Sequence, residues 1–261
     1  SRGITFIFSV RLGFFRALVS NAAYNEPDGG QFISKLSPQL DSVIWSTRFG
    51  SGDGDPDISL PAFLVDLCNS VYISGWGSDL SFSVYHPLST GGLDTAGNPF
   101  QGTTDSNDFY LMVMLDDASA ISYATFMGGS AQEHVDGGTS RFDKKGKIYQ
   151  AVCAGCGGTS DFPTYPDSTV FSANNGATQG SRCNLAVFKM DFLLPTVVAD
   201  FFVQTSVCDS TPIKFNNLSL EQGATQYLWD FGDGSTSTLF EPVHTYFRAG
   251  TYEITLAVYD S

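Results

Sequence analysis

Positive charge is scarce in this 261-residue sequence. It has 13 lysine and arginine residues against 27 aspartate and glutamate residues, and its formal net charge is −14. A surface with this charge repels phosphate backbones, which argues against nucleic acid as a partner. Long apolar runs are also missing, since no stretch approaches the roughly 20 apolar residues that a membrane-spanning helix needs. The sequence therefore predicts no membrane span.

Catalytic motifs are missing too. The three histidines, His86, His134 and His244, lie in dissimilar contexts, and none belongs to an H-x-x-x-H or H-E pattern. The sequence contains no G-x-S-x-G motif, no P-loop and no dinucleotide fingerprint. The basic cluster of Arg141, Lys144, Lys145 and Lys147 surrounds Gly146 and indicates a solvated turn. We therefore expect this region to be non-enzymatic.

The residues that are abundant indicate an all-β protein. Aromatic residues make up 14% of the chain, and 27 glycines lie in turn-like clusters between runs of Thr, Val, Tyr and Phe. An acidic, Gly- and Asp-rich, Lys-poor composition suits a secreted or cell-surface protein. The N-terminal stretch SRGITFIFSVRLGFFRALVSNAA faintly imitates a signal peptide, but Arg11 and Arg16 interrupt its apolar run. The interior of a longer chain, or strand material, is therefore the favoured interpretation of this stretch.

An internal repeat organises the first two thirds of the chain. KLSPQLDSVIWSTRFGSG (35–52) aligns with MLDDASAISYATFMGGS (114–130) at an offset of 77–79 residues. Each repeat unit is predicted to form four short strands. In the first unit their sequences are FISKL, VIWSTRFG, PAFLVD and VYISGWG. A long polar loop follows, at 78–107 and at 157–182. Tandem four-stranded sheets predict stacked propeller blades, clearest at 30–107 and 108–192. A β-sandwich with coincidental self-similarity is the alternative.

The motifs of this region resemble a known family of repeats. YATFMGGS, FDKKGKIYQAV and GGTSDFPTYPDS resemble the β-propeller repeats of secreted proteins from Bacteroidetes-type bacteria. The resemblance implies blades over residues 1–195 and export by the type IX pathway, as in gliding-motility proteins. Two to three blades are visible and propellers need four or more, so we expect further blades in a longer protein.

The C-terminal quarter resembles the PKD domain, an Ig-like β-sandwich. The motif residues are Trp229, Asp230, Phe231, Gly232, Asp233, Gly234, His244 and Tyr246. Strand alternation directs Trp229 and Phe231 to the core, and short aspartates cap tight turns far more often than they catalyse. We expect His244 to be packed and hydrogen-bonded. The domain is assigned to residues 196–261 and is expected to be truncated before its last strand.

The cysteines favour a disulfide. Cys153 and Cys156 begin the long polar loop that Cys183 ends, whereas Cys68 and Cys208 lie elsewhere. A redox pair would require a helix after the CxxC motif, and structural zinc would require a fourth ligand. A bridge from Cys153 or Cys156 to Cys183 is expected in an oxidising compartment. Propeller proteins of this type show the same cysteine pattern, and the sequence does not decide which cysteine pairs.

Two further candidate binding sites, one for a cation and one for a glycan, have weaker support in the sequence. Asp53, Asp55 and Asp57 alternate in SGDGDPD and resemble the start of a Ca²⁺ loop, yet a solvated turn between blades is favoured. Ca²⁺ is the cofactor that this stretch suggests, and no other is indicated. Trp76, Tyr85 and Tyr165 lie in or beside the long loops and could form a glycan-binding platform, although loop aromatics more often cover a blade edge.

These features together predict an adhesion or scaffold region of a large secreted bacterial surface protein. Its partners would be proteins or carbohydrates at the cell surface, further domains of the same chain, or copies of itself. Two alternatives stay open. The chain could be an accessory, substrate-binding region of an extracellular hydrolase, or a self-assembling subunit of a surface filament.

Overall fold

A computed structural model describes residues 5–10, 19–66, 68–77, 88–135, 140–143, 146–165, 169–192, 197, 199–203, 210–219 and 225–260. Regular structure in these ranges consists of β-strands, which confirms the all-β prediction. No helix in the described ranges is long and apolar enough to cross a bilayer. The chain divides into two compact units, Ser1–Phe192 and Leu193–Ser261.

The first unit is built from short strands separated by glycine-rich turns. In chain order they are β1 (Thr5–Val10), β2 (Gln31–Leu36), β3 (Val43–Phe49), β4 (Ser59–Val65), β5 (Val71–Trp76), β6 (Phe109–Met114), β7 (Ile121–Met127), β8 (Ser140–Asp143), β9 (Lys147–Ala154) and β10 (Asn184–Asp191).

These strands form three antiparallel sheets. The first sheet has the order β1-β2-β3, the second β4-β5-β6-β7 and the third β10-β9-β8. The four strands predicted for the first repeat unit are present as β2 to β5. The expectation that they form one sheet was wrong, because β2 and β3 belong to the first sheet while β4 and β5 belong to the second. A tandem repeat in the sequence does not show at which residue one sheet ends and the next begins. The hydrogen bonds between strands place that boundary in the middle of the repeat unit.

The lengths of the connecting segments explain why the sheet boundary lies inside the repeat unit. The short segment 50–58 carries the chain from the first sheet to the second, and 128–139 carries it from the second to the third. The long polar loops instead return the chain to a neighbouring strand of the same sheet. Segment 77–108 joins β5 to β6, whose ends meet where Trp76 pairs with Phe109. Segment 155–183 joins β9 to β10 in the same way.

Apolar side chains fill the spaces between the sheets. Ile33 and Trp45 of the first sheet pack in one buried cluster with Ile73 and Met112 of the second. The opposite face of the second sheet meets the third, where the rings of Phe109 and Phe188 are 6.0 Å apart. The second sheet therefore buries one face against the first sheet and the other against the third, as stacked repeats do.

Seven further strands lie in the described part of the second unit. They are β11 (Phe201–Phe202), β12 (Ile213–Lys214), β13 (Asn216–Asn217), β14 (Thr225–Asp230), β15 (Thr236–Ser237), β16 (Val243–His244) and β17 (Thr255–Asp260). β14 lies between β15 and β17, β11 pairs with β13, and β12 pairs with β16.

One tryptophan lies at the centre of this second unit. Trp229 and Phe231 are buried, while Leu228 and Asp230 between them face outward, as strand alternation predicts. The ring of Trp229 meets Phe201 edge-on at 5.3 Å and Phe215 at 5.6 Å. Its indole Nε1 donates to the carbonyl of Leu239 at 2.9 Å, so the buried polar group is satisfied.

Candidate functional site

The tight turn after β14 contains a cluster of hydrogen-bonded polar side chains. Asp230 Oδ1 accepts from the backbone N–H of Gly232 at 2.9 Å, and Asp233 Oδ1 accepts from the N–H of Ser235 at 3.0 Å. Gly232 has a φ of +74°, and a Cβ there would collide with the carbonyl of Glu253. The two carboxylates therefore hold the turn, as expected for short acidic side chains beside glycine.

A histidine closes this cluster. His244 Nε2 lies 2.8 Å from Asp233 Oδ2, and the imidazole stacks on Phe231 with ring centroids 4.2 Å apart. The hydroxyl and N–H of Ser235, followed by His244, lower the pKa of Asp233 to about 2. The carboxylate is thus anionic at neutral pH and positions the imidazole against the core.

Serine, histidine and aspartate meet here, but not as a nucleophilic triad. Ser235 and Asp233 share the same imidazole nitrogen, Nε2, and the serine hydroxyl donates to the aspartate. A triad needs the carboxylate on one ring nitrogen and the hydroxyl on the other, so that the base can take the hydroxyl proton. The arrangement therefore fits turn stabilisation.

Tyr246 links this cluster to the neighbouring strand. Its hydroxyl donates to the carbonyl of Phe231 at 2.8 Å, and its ring meets His244 at a right angle. It also stacks on Tyr252 with centroids 4.1 Å apart. The motif residues of the second unit thus form one interlocked group, which orders the turn and the two chain segments beside it.

The disulfide of the first unit closes the loop between β9 and β10. Cys156 is bonded to Cys183, and Cys153 lies in β9, paired in register with Leu185. Asn175 supports the loop from inside, because its side-chain amide donates to the carbonyls of Gly155 at 2.7 Å and Arg182 at 2.8 Å. Cys208 lies outside the described residues. The bridge occupies two of the three cysteines that a zinc site would have used.

The three alternating aspartates lie in the segment between the first and second sheets. Asp53 is exposed and caps the N–H of Asp55 at 2.8 Å, which fits the predicted turn. The expectation of a solvated turn was wrong for Asp57, which is 4% exposed and accepts from the N–H of Ser51 at 3.0 Å. Burial raises the pKa of Asp57 to about 6. Sequence periodicity could not show this, because Asp57 contacts residues distant in the chain; its backbone N–H, for example, donates to Gln31 Oε1 at 3.2 Å.

A pair of buried acids escaped the sequence analysis. Asp108 directly precedes β6, Glu133 lies in the segment between β7 and β8, and both are 0% exposed. Burial raises the pKa of Asp108 to about 6 and that of Glu133 to about 8. The sequence offered little signal, since Glu133 follows Gly128-Gly129 but Asp108 lies in an ordinary polar stretch with Asp105. Across the described ranges, no group of three or more His, Cys, Asp or Glu residues is arranged to hold a metal.

The proposed glycan-binding aromatics have different environments. Trp76 ends β5, is half-buried, and its ring lies 5.9 Å from that of His134. Tyr165 is exposed in the loop between β9 and β10. Tyr85 and His86 lie outside the described residues, as do Lys144 and Lys145.

Comparison with known proteins identifies the second unit. Residues 195–261 match the family model described as PKD domain. Collagenase ColQ1 of Bacillus cereus (strain Q1) is 62% identical over 34 residues, and the microbial collagenase of Vibrio alginolyticus is 59% identical over 34 residues. The pre-pro-metalloprotease PrtV of Vibrio cholerae is 56% identical over 34 residues. Each match covers 13% of this chain and 4% of the relative, so the similarity concerns a PKD-like region and not the whole proteins.

Proposed function

We propose that this chain, whose C-terminal unit is a PKD domain, is a non-catalytic extracellular region that makes protein contacts for a larger secreted protein. One observation carries the proposal, namely the apolar outer face of the third sheet. Leu185 and Val187 of β10 are each 71% exposed, although strand residues of this type are usually covered. Tyr149 of β9 lies exposed beside them.

The equivalent face of the second sheet indicates what would cover this exposed face. In the second sheet Ser74 pairs with Leu111, and in the third Ala151 pairs with Val187 at the equivalent place. Ser74 and Leu111 are fully buried because the third sheet lies on them, and Ser74 Oγ donates to Gln150 Oε1 at 2.8 Å. The matching face of the third sheet therefore fits another sheet of the same construction.

The repeat motifs extend the proposal. A further sheet of this kind would continue a β-propeller or a related stack, and the resemblance to Bacteroidetes-type repeats supports a surface protein exported by the type IX pathway. In such a protein the PKD domain and the stacked sheets would act as an adhesion or scaffold region. The acidic surface supports an extracellular location.

Self-association of the purified chain tests the proposed face, because in isolation only other copies can supply another sheet. Analytical ultracentrifugation should show concentration-dependent association that Val187→Lys abolishes. Leu40→Lys is the matched control, since Leu40 is an exposed apolar residue in the turn between β2 and β3. A chain that stays monomeric at all concentrations, or an effect shared by both variants, would contradict the proposal.

A second candidate function is supported by the relatives. Collagenases and a metalloprotease share the PKD-like region, so the chain would be an accessory, substrate-binding region of a secreted hydrolase. Phe202 and Phe247 are exposed aromatics on the second unit that could contact such a substrate. Cosedimentation with insoluble collagen, reduced by Phe247→Ser and unchanged by Leu40→Lys, would support this candidate. A chain that stays in the supernatant would exclude collagen.

A further inference from the structure

Two buried carboxylates converge beside one glycine of the second sheet. An ideal Cβ on Gly128 would overlap Oδ1 of Asp108 and lie 2.8 Å from Oε2 of Glu133. Both side chains therefore point into the same space next to the Gly128 backbone. The two acids come from opposite ends of the β6–β7 hairpin, which brings residues 25 positions apart together.

Most oxygens of this pair lack a protein partner. Asp108 Oδ2 accepts from the side-chain amide of Gln101 at 3.3 Å. Asp108 Oδ1 and both carboxylate oxygens of Glu133 are buried without a hydrogen-bond partner. The N–H groups of Gly129 and Gly155 lie near Glu133 and lower its pKa, but they stand outside hydrogen-bonding geometry. Unpartnered buried polar atoms are costly and rare, so three at one place indicate a missing ligand.

The neighbouring charges do not compensate the pair. After burial itself, Asp108 raises the pKa of Glu133, and Asp105 raises the pKa of both carboxyls. The Thr104 hydroxyl lowers that of Asp108 but carries no charge. The site thus combines two buried acids with a third acid close by. Something positive has to occupy the space for both acids to be ionised.

Counting oxygens distinguishes a proton from a metal ion. A proton shared between the acids would satisfy at most two of the three open oxygens. A divalent cation held by Oδ1 of Asp108 and by both oxygens of Glu133 would satisfy all three and balance two negative charges. Bidentate glutamate and irregular oxygen coordination are characteristic of Ca²⁺, whose remaining ligands are commonly carbonyls and water.

We propose that Asp108 and Glu133 bind a calcium ion between the second and third sheets. This site is separate from Asp53, Asp55 and Asp57, where Asp53 and Asp57 already serve the backbone. Because β6 begins next to Asp108 and β8 follows the segment that carries Glu133, the ion would tie the two sheets together.

Titration of the chelator-treated chain with CaCl₂ tests the site. We expect a saturable rise in the melting temperature of the first unit. Asp108→Asn and Glu133→Gln should each weaken calcium affinity at least tenfold. Both variants should still fold, since each removes an uncompensated buried charge, and in chelator they should melt no lower than the parent chain. Asp57→Asn is the control, because it changes a buried acid that has a backbone donor.

Terbium luminescence gives an independent measurement of position. Trp76 is a nearby sensitiser, since it pairs with Phe109 next to Asp108 and its ring lies near that of His134 next to Glu133. Sensitised Tb³⁺ emission should be displaced by Ca²⁺ and lost in Trp76→Phe and in Glu133→Gln. The proposal is overturned if calcium leaves the parent chain unchanged, or if both acid variants keep the calcium response. A melting temperature that depends on pH but not on calcium would indicate a shared proton and would equally overturn it.

Discussion

Removal of the Cys156–Cys183 disulfide should destabilise the first unit measurably. The two cysteines are separated by 27 residues in sequence. In the chain-entropy description, closing a loop of that length lowers the entropy of the unfolded chain enough to contribute about 3.5 kcal/mol at 25 °C. The hydrogen bonds of Asn175 across the loop mouth do not involve the cysteine side chains, and we expect them to keep the native loop shape in the reduced protein. Most of the loss should therefore come from the unfolded state.

Hydrogen exchange followed by mass spectrometry is the suitable assay, because it separates the two units. In Cys156→Ala/Cys183→Ala, slowly exchanging amides of β9 and β10 should exchange a few hundredfold faster where exchange requires unfolding of the unit, since each 1.4 kcal/mol is a factor of ten. Amides of β14 and β17 in the PKD domain serve as an internal control and should not change. Cys153→Ala, which leaves the bridge intact, is the matched variant.

Two results would refute this reasoning. A change below about 1 kcal/mol in β9 and β10 would mean that loop entropy does not determine the contribution of the bridge. Equal acceleration in β14 and β17 would mean that the bridge acts on the whole chain and not on the first unit.

Two further predictions concern buried polar groups. The folded-state pKa of Asp57, about 6, lies above its ordinary value of 3.8. The folded state therefore keeps the proton longer, and stability should fall by up to about 3 kcal/mol as pH rises from 4 to 6. Urea unfolding at a series of pH values should show a smaller slope in Asp57→Asn, in which only Asp108 and Glu133 still titrate with raised pKa values, and the full slope in the exposed control Asp53→Asn. An unchanged slope in Asp57→Asn would contradict the assignment. Tyr246→Phe should destabilise the PKD domain by about 1 kcal/mol, because it removes the donor to the Phe231 carbonyl. The hydroxyl of Tyr252 donates to the carbonyl of the exposed residue Arg248, so Tyr252→Phe should lower the free energy of unfolding by less than Tyr246→Phe does. Equal losses in the two variants would refute the role given to Tyr246.

The most predictable parts of the chain were those governed by local rules. Strand alternation placed Trp229 in the core and Leu228 outside, because successive strand residues face opposite sides wherever the strand packs. The aspartates of WDFGDG were assigned to turn capping, since a short carboxylate reaches backbone N–H groups two residues away. Both features depend on a few neighbouring residues.

The cysteine pairing shows an intermediate case. The spacing of the cysteines around a polar loop predicted a bridge to Cys183 but did not choose between Cys153 and Cys156. In the structure, β9 continues through Cys153 to Ala154, so Cys153 is part of the ladder with β10. Cys156 lies beyond the strand end, where its side chain can meet Cys183. The position of the strand end decided the pairing.

The sequence by itself determined the all-β class, the tandem strands of the first unit and the motif of the PKD domain, because composition, alternation and turn chemistry act over short distances. Only the tertiary structure decided which strands share a sheet, why Asp57 is buried, and that Asp108 and Glu133 meet beside Gly128. These features depend on contacts between residues far apart in the chain. Strand patterns contain no information about which distant strand will be the neighbour, since any strand edge offers the same backbone donors and acceptors.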